Sequence, residues 1–204
     1  LSLRRQRQMC IRDRNELFHG QNHHTPSKRA VLVIAGNHDL RNGIAALQKQ
    51  LWDTPEPVFK CNHWSVIGVD STDPPHTHGR LSDTELTQFQ QRLHQATTEH
   101  ILVTLHHPPL PIGSVWMDDI GLKNSPQFWS ALSHSRARGV VHGHIHQPFQ
   151  SAHQGIPVWG TPSSVWQFKE GDEYGLDEKR LGAYRWLELS DDGSIRSEIA
   201  WLSD

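Results

Sequence analysis

The sequence predicts an α/β domain of two stacked sheets flanked by helices. In the first part of the chain, short β-branched apolar runs alternate with segments whose apolar residues recur at helical spacing. From residue 149 onward the pattern changes to paired strands joined by tight turns, as in hairpins. A chain of 204 residues suits one domain with a substantial core.

The predicted elements follow in order along the chain. Buried strands are expected at four apolar runs: 30–36, 64–70, 101–105 and 139–141. Helices are expected at 42–51, after a capping box at 82–85, and from Ser125 and Pro126 through Leu132. Hairpins are expected at 149–160 and at 183–202, the second around an Asp-Gly turn, with a polar loop at 169–182 between them.

Composition limits the classes of function. The net charge of −2 provides no general attraction to nucleic acid or to an anionic membrane. No apolar run approaches the roughly 20 residues of a membrane span. The two cysteines, Cys10 and Cys61, form no CxxC pair, which favours a reducing compartment, and we expect a cytoplasmic protein.

The first 14 residues, "LSLRRQRQMCIRDR", differ from the rest of the chain. They contain five arginines and neither glycine nor proline. A basic arm for nucleic acid is one interpretation, but the segment looks more like a translated adapter joined to a truncated reading frame. We therefore predict that residues 1–14 are non-native and that residues 15–204 form a partial domain.

Histidine is unusually frequent, with 16 residues, and polar clusters follow three of the four predicted strands. These clusters are Asn37–Asp39, His106 and His107, and the group His142, His144 and His146. Ligands of open α/β sheets gather at the carboxyl ends of the strands, so the three clusters should converge. Because imidazole is the commonest metal ligand, convergence predicts a metal site.

The spacing within "GHIH" suggests how ions would be shared. In an extended segment His144 and His146 would project to the same side, about 6–7 Å apart, which suits two ions about 3.5–4 Å apart. Gly143 would let the backbone bend close to the ions. The amide oxygen of Asn37 adds a neutral ligand, and nitrogen and oxygen donors without sulfur favour Mn, Fe, Zn or Co.

The three motifs "GNHD", "HHPP" and "GHIHQP" together resemble those of the calcineurin-like metallophosphoesterases. The segments "HGRLSDTELTQFQQRL", "LHHPPLPIGSVWMDDIGLKN" and "GTPSSVWQF" are similar to those of bacterial class III 3′,5′-cyclic-AMP phosphodiesterases. The resemblance extends from about residue 15 to the C-terminus. It implies a four-layer α/β/β/α sandwich, with the N-terminal strands and helices missing here.

The resemblance also implies roles for individual residues. Asn37, His106 and His144 would bind the second of two metal ions, most often Fe or Mn, with Zn or Co as alternatives, and His146 would bind the first. A bridging hydroxide would attack 3′,5′-cyclic AMP to give 5′-AMP. His38 would protonate the leaving oxygen, with its ring oriented by Asp39.

Other residues receive weaker assignments. The expected substrate pocket contains His107, Trp116, Arg80 and Trp166, with the segment 76–80 as part of its wall. His142 matches no role in the family, and we expect it to be a buried histidine bonded to backbone. The substrate is a small cyclic nucleotide, neither nucleic acid nor membrane is an expected partner, and the sequence predicts no oligomeric state.

Two motifs of the family, DxH and GD, do not occur upstream of "GNHD". They supply ligands of the first ion, and His23 and His24 are poor substitutes, so we expect this chain to be an impaired or inactive fragment. Two alternatives stay open. One is another metallophosphoesterase, such as a phosphomonoesterase or nucleotide hydrolase, and the other is a non-catalytic metal-binding regulatory module.

Overall fold

The computed structural model describes residues 31–51 and 57–202. The predicted adapter-like segment, residues 1–14, and the two histidines at 23 and 24 lie outside this range. The helices are α1 (Arg41–Leu51), α2 (Asp83–Gln95), α3 (Val115–Asp118) and α4 (Ser125–Leu132). The strands are β1 (Val58–Cys61), β2 (Trp64–Val69), β3 (His100–Leu105), β4 (Ala137–His142), β5 (Phe149–His153), β6 (Ile156–Gly160), β7 (Gln167–Phe168), β8 (Leu176–Asp177), β9 (Ala183–Leu189) and β10 (Ile195–Trp201).

A mixed six-stranded sheet forms the centre of the fold, with strand order β1-β2-β3-β4-β6-β5. Strands β2, β3, β4 and β6 are parallel, whereas β1 and β5 pair antiparallel at the two edges. Five of the six residues of β3 are buried, as expected for a central parallel strand covered on both faces. The predicted mixed α/β class is confirmed.

Helices α2 and α4 cover one face of this sheet. Phe89 and Phe128, both fully buried, stack with their ring centroids 5.6 Å apart. The side chain of Ser82 caps α2 by accepting from the backbone N–H of Glu85 at 3.1 Å. The Glu85 carboxylate accepts from the backbone N–H of Asp70 at 3.1 Å instead of reaching back to Ser82, so only half of the predicted capping box forms.

The β9–β10 hairpin forms a second layer on the other face. The side chain of Ile195 in β10 packs against Gly139 of β4. The next residue, Val140, belongs to the hydrophobic core beneath the helices, on the opposite face of the sheet. The indole N–H of Trp64 donates to the carbonyl of Ser190 at 2.8 Å, which joins the hairpin to β2. Helices α2 and α4, the central sheet and the hairpin correspond to three of the four predicted α/β/β/α layers.

The prediction was wrong for the first strand. Residues 31–36 belong to no sheet, although the run is apolar and β-branched. Residues 32–36 pair with no strand of the described ranges, and a sheet forms only where backbone donors and acceptors of two strands meet. The Gln48 side-chain amide of α1 donates instead to the carbonyl of Val33 at 3.0 Å.

The remaining differences are small. Strand β1, the short helix α3 and the β7–β8 pair were not predicted, and β4 is longer than the run 139–141. These elements are too short for a periodic pattern to identify them. Within the two described ranges, no helix is long and apolar enough to span a bilayer.

Candidate metal centre

Two of the three predicted clusters meet because their strands are parallel neighbours. Leu105 at the end of β3 pairs with His142 at the end of β4, so His106 and His144 follow at the same edge of the sheet. The turn after residue 36 brings Asn37 to the same place. His106 Nε2 lies 2.9 Å from Asn37 Oδ1 and 3.1 Å from His144 Nδ1. We call Asn37, His106 and His144 the strand-end cluster.

The geometry of the strand-end cluster fits a metal ion. Ligand atoms bound at about 2.1 Å and at right angles lie about 3.0 Å apart, close to both observed separations. His144 Nε2 is buried and makes no hydrogen bond within the described part of the chain. Two imidazoles and an amide oxygen are donors that Mn, Fe, Zn and Co accept.

Both imidazoles are held in the form that binds metals. Burial lowers the pKa of His106 well below its usual value, and the nearby His144 and His107 lower it further. Burial also lowers the pKa of His144 to about 2, with a further contribution from His107 and His146. These rings are therefore neutral at neutral pH, with a lone pair free for a cation.

The backbone at His144 differs from the predicted extended form. His144 has φ +69° and His146 has φ +49°, both in the left-handed region. The N–H of Ile145 donates to the carbonyl of Gly143 at 2.8 Å, which closes a three-residue turn around His144. The predicted extended conformation of this segment was wrong, because the turn places both histidines at positive φ. Such backbone costs about 1–3 kcal/mol and is typical of functional sites.

The glycine that permits close packing is Gly36 rather than Gly143. A Cβ at Gly36 would lie 2.8 Å from His106 Cε1 and 2.9 Å from His106 Nδ1. A Cβ at Gly143 would meet His106 Nδ1 at 3.5 Å, an ordinary contact. The turn before Asn37 therefore approaches the ring of His106 only because residue 36 has no side chain.

His146 lies beside the strand-end cluster but does not join it. Its ring stacks on Phe168, with centroids 4.6 Å apart and planes 21° apart, and its Nδ1 is buried without a partner among the described residues. Burial lowers its pKa to about 4, partly opposed by the backbone of Trp166. That His146 binds a different ion from the other three residues stays a prediction.

His38 and Asp39 occupy the tip of the turn that carries Asn37. His38 is exposed, yet close enough to lower the pKa of His106 and His144. Asp39 Oδ2 accepts from the backbone N–H of Gly36 at 2.9 Å. The predicted contact between Asp39 and the His38 ring is absent from the described structure, because the carboxylate closes the turn instead.

His107 lies behind the strand-end cluster. Its Nδ1 pairs with Ser71 Oγ at 2.8 Å and its Nε2 with the carbonyl of Thr77 at 3.1 Å. Burial lowers its pKa to about 4. Since the residue is fully buried and both nitrogens are engaged, the structure does not place it in the wall of a substrate pocket.

His142 is buried as predicted. Its Nδ1 donates to the carbonyl of Gly143 at 3.0 Å, while its Nε2 has no partner among the described residues. Burial lowers its pKa to about 4, so the ring is neutral. Backbone thus engages only one of its two nitrogens.

The predicted pocket residues do not all come together. Trp116 contacts Phe168 at a centroid distance of 5.2 Å, and Trp166 lies 5.6 Å from His146. Phe168 joins these rings into one aromatic wall. The Arg80 side chain is exposed and makes no hydrogen bond or ion pair in the described structure, so nothing ties it to this wall.

A second group of possible ligands was also missed. Asp73, His76 and His78 each offer one ligand atom, and these atoms lie within 4.8 Å of one another. We call these three residues the loop cluster. The signal in the sequence was an aspartate followed by His-x-His, but the loop conformation that joins them was not predictable.

The chain is similar to several known proteins. Residues 13–148 match the family described as Calcineurin-like phosphoesterase. The 3′,5′-cyclic adenosine monophosphate phosphodiesterase CpdA of Vibrio vulnificus is 36% identical over 181 residues, which cover 87% of this chain and 66% of the relative. The protein of the same name from Pseudomonas aeruginosa is 35% identical, over 84% of this chain and 63% of its own length.

A probable cyclic nucleotide phosphodiesterase from Psychrobacter is 31% identical, over 84% of this chain and 54% of the relative. The chain thus spans between about half and two thirds of the length of these relatives. The solved structure titled GAP50, the anchor in the inner membrane complex of Plasmodium, matches 79% of this chain and 57% of its own, with a TM-score of 0.55 and 16% identity. That likeness concerns the fold alone. Over the matched residues, which include all four predicted metal ligands, the chain belongs to the calcineurin-like phosphoesterase family.

Proposed function

We propose that the protein hydrolyses phosphodiesters with the help of bound metal ions, and that its substrate is 3′,5′-cyclic AMP. The convergence of Asn37 Oδ1, His106 Nε2 and His144 Nδ1 at one sheet edge carries the proposal. The names of the relatives support the choice of substrate.

Four residues would hold the ions: Asn37, His106 and His144 for one, and His146 for the other. Bound ions of the Fe, Mn, Zn or Co type would neutralise phosphate charge and supply a hydroxide nucleophile. Within the described ranges, the residues around these positions offer imidazoles and an amide but no free carboxylate. The proposal therefore includes weak binding at the His146 position and slow turnover by the chain as it stands.

His38 would donate the proton that the leaving ribose oxygen requires. Its exposed ring lies close to the buried imidazoles, at the open side of the site. Asp39 would act through the turn, because its carboxylate binds the Gly36 N–H and so fixes the backbone that carries both Asn37 and His38. General acid assistance of this kind contributes about 10²–10⁴-fold.

The aromatic wall beside His146 would bind the base. Phe168 connects Trp116 to His146, and Trp166 lies on the other side of the same imidazole. Flat aromatic side chains stack on a purine with little loss of rotamer entropy.

A substrate comparison tests the proposal. The purified chain is assayed with Mn²⁺ on cyclic AMP, bis(p-nitrophenyl) phosphate and p-nitrophenyl phosphate, beside a His106→Gln/His144→Gln variant. We expect release of 5′-AMP by the unmodified chain and none by the variant. Turnover of the monoester alone would indicate a phosphomonoesterase. Metal binding without turnover of any of the three would count against hydrolysis by this chain, as expected of a regulatory module or of an inactive fragment.

A further inference from the structure

The loop cluster lies in the segment between β2 and α2 and shares no residue with the strand-end cluster. Asp73 Oδ2 lies 3.4 Å from His76 Nδ1 and 3.2 Å from His78 Nε2. One carboxylate oxygen thus faces a nitrogen of each imidazole. The two rings are stacked, with centroids 4.6 Å apart and planes 18° apart.

These separations fit a tetrahedral ion. Ligand atoms bound at about 2.0–2.1 Å in a tetrahedral site lie about 3.3 Å apart, between the two observed values. Two imidazoles and one carboxylate form a common three-residue ligand set for zinc, which leaves the fourth position to water. The side chains of Asp73, His76 and His78 are 31%, 55% and 26% exposed, so solvent reaches the group.

The backbone holds the loop in place without an ion. Thr72 bridges to Gly79 across its ends, and the Gly79 N–H donates to the carbonyl of Gly121 at 3.1 Å. The imidazole of His107 donates to the carbonyl of Thr77 in the middle of the loop at 3.1 Å. A site whose ligands are already close loses little conformational entropy when it binds.

Within the loop cluster, His76 Nδ1 also donates to the backbone carbonyl of Asp73 at 3.1 Å, and an ion bound at this nitrogen would replace that hydrogen bond. Ion pairs between exposed histidine and carboxylate contribute about 0–1 kcal/mol. A metal ion binds both rings in the neutral form and supplies the positive charge that the carboxylate faces.

We propose that Asp73, His76 and His78 bind one divalent transition-metal ion of the zinc type. This site is separate from the strand-end cluster and does not depend on the proposed function, because a catalytically inactive chain would still bind the ion.

The test uses the full chain with His106→Gln and His144→Gln, which removes the imidazoles of the strand-end cluster. Zn²⁺ is titrated against a chelator of known affinity, and Co²⁺ is followed by NMR of the histidine ring protons. We expect one Zn²⁺ per chain and Co²⁺ broadening of the His76 and His78 signals. Adding His78→Ala should weaken Zn²⁺ binding by about 10–100-fold or more. Adding His94→Ala, which removes an exposed imidazole from α2, should leave it unchanged.

Asp73→Asn separates ligation from hydrogen bonding, because the amide keeps the shape of the side chain but loses its charge. We expect this variant to weaken binding to a similar extent while the thermal midpoint without metal stays constant. Absence of Zn²⁺ binding in the background chain, or equal loss with His94→Ala, would overturn the proposal. If His78→Ala fails to fold, Co²⁺ broadening of the His76 and His78 signals in the background chain still tests the proposal, and its absence would contradict it.

Discussion

The strand-end cluster and the loop cluster each bring three nitrogen or oxygen donors together, but in different surroundings. The first is largely enclosed by the protein, and burial holds the pKa of His144 at about 2. The second faces solvent and includes a carboxylate that already contacts both of its imidazoles. One is built on the ends of two parallel strands and a turn, whereas the other lies within a single loop.

The difference shows what each cluster lacks. In the strand-end cluster no carboxylate balances a cation, and His144 Nε2 has no partner among the described residues. An ion there gains partly buried ligands, and the protein keeps both of the imidazoles neutral. In the loop cluster an ion must displace existing contacts and compete with water. We therefore expect changes at the first cluster to have the larger effects.

The largest effect should come from removing both imidazoles of the strand-end cluster. With His106→Gln and His144→Gln, Mn²⁺ affinity at this cluster should fall by more than about 10⁴-fold, since residues that merely support a ligand contribute about 10–100-fold each. Isothermal titration would measure the loss, with His94→Ala as the control. Unchanged Mn²⁺ affinity would mean that the strand-end cluster is not the stronger of the two metal sites.

Replacing His38 should reduce turnover without removing the metal. His38→Gln should lower kcat for cyclic AMP by about 10²–10⁴-fold if the ring protonates the leaving oxygen. The loss should be much smaller for bis(p-nitrophenyl) phosphate, whose leaving group departs without a proton. Equal losses on both substrates would assign His38 to binding instead of proton transfer.

Acid should destabilise the enclosed region. His107 and His142 each have a pKa of about 4 in the folded protein, lowered mainly by burial, against about 6.5 when unfolded. Since the unfolded chain binds more protons between these values, stability is retained above pH 6.5 and lost as the pH falls toward 4. At pH 5 the loss is about 2 kcal/mol per histidine. Urea denaturation at pH 7.5 and pH 5 would measure it, and His142→Gln should reduce the difference by about 2 kcal/mol, the share of one histidine among several buried ones.

A methyl group at residue 36 should disturb the strand-end cluster alone. Gly36→Ala places a Cβ against the His106 ring, so we expect a loss of about 1–3 kcal/mol of stability and weaker metal binding. Gly43→Ala is the matched control, because a Cβ at that position in α1 meets nothing within 4 Å. Equal stability of the two variants, measured by urea denaturation, would contradict the close packing at His106.

The smallest effect is expected at the loop cluster in the absence of metal. His76→Ala removes an exposed pair with Asp73, and such pairs contribute about 0–1 kcal/mol. Thermal denaturation in a chelator should therefore show almost no change. A larger drop in the thermal midpoint would mean that the contacts of the loop cluster stabilise the fold. The two clusters would then differ less in their contribution to stability.

Much of the fold follows from local patterns. The apolar run of β3, the capping residue of α2 and the Asp-Gly turn of the last hairpin each favour one conformation. The segment 31–36 shows where this reasoning stops. Its residues favour the extended conformation, but a sheet also requires a neighbouring strand. The local pattern of the sequence does not show which segments lie side by side.

The amino-acid sequence by itself determined which residues are chemically able to bind a cation, and that they follow the ends of neighbouring parallel strands. Only the tertiary structure decided that His144 lies in a left-handed turn, that His107 has both nitrogens engaged, and that Asp73 meets two imidazoles. The physical reason is that side-chain chemistry belongs to each residue, whereas backbone handedness, burial and hydrogen-bond partners depend on what the rest of the chain packs against it.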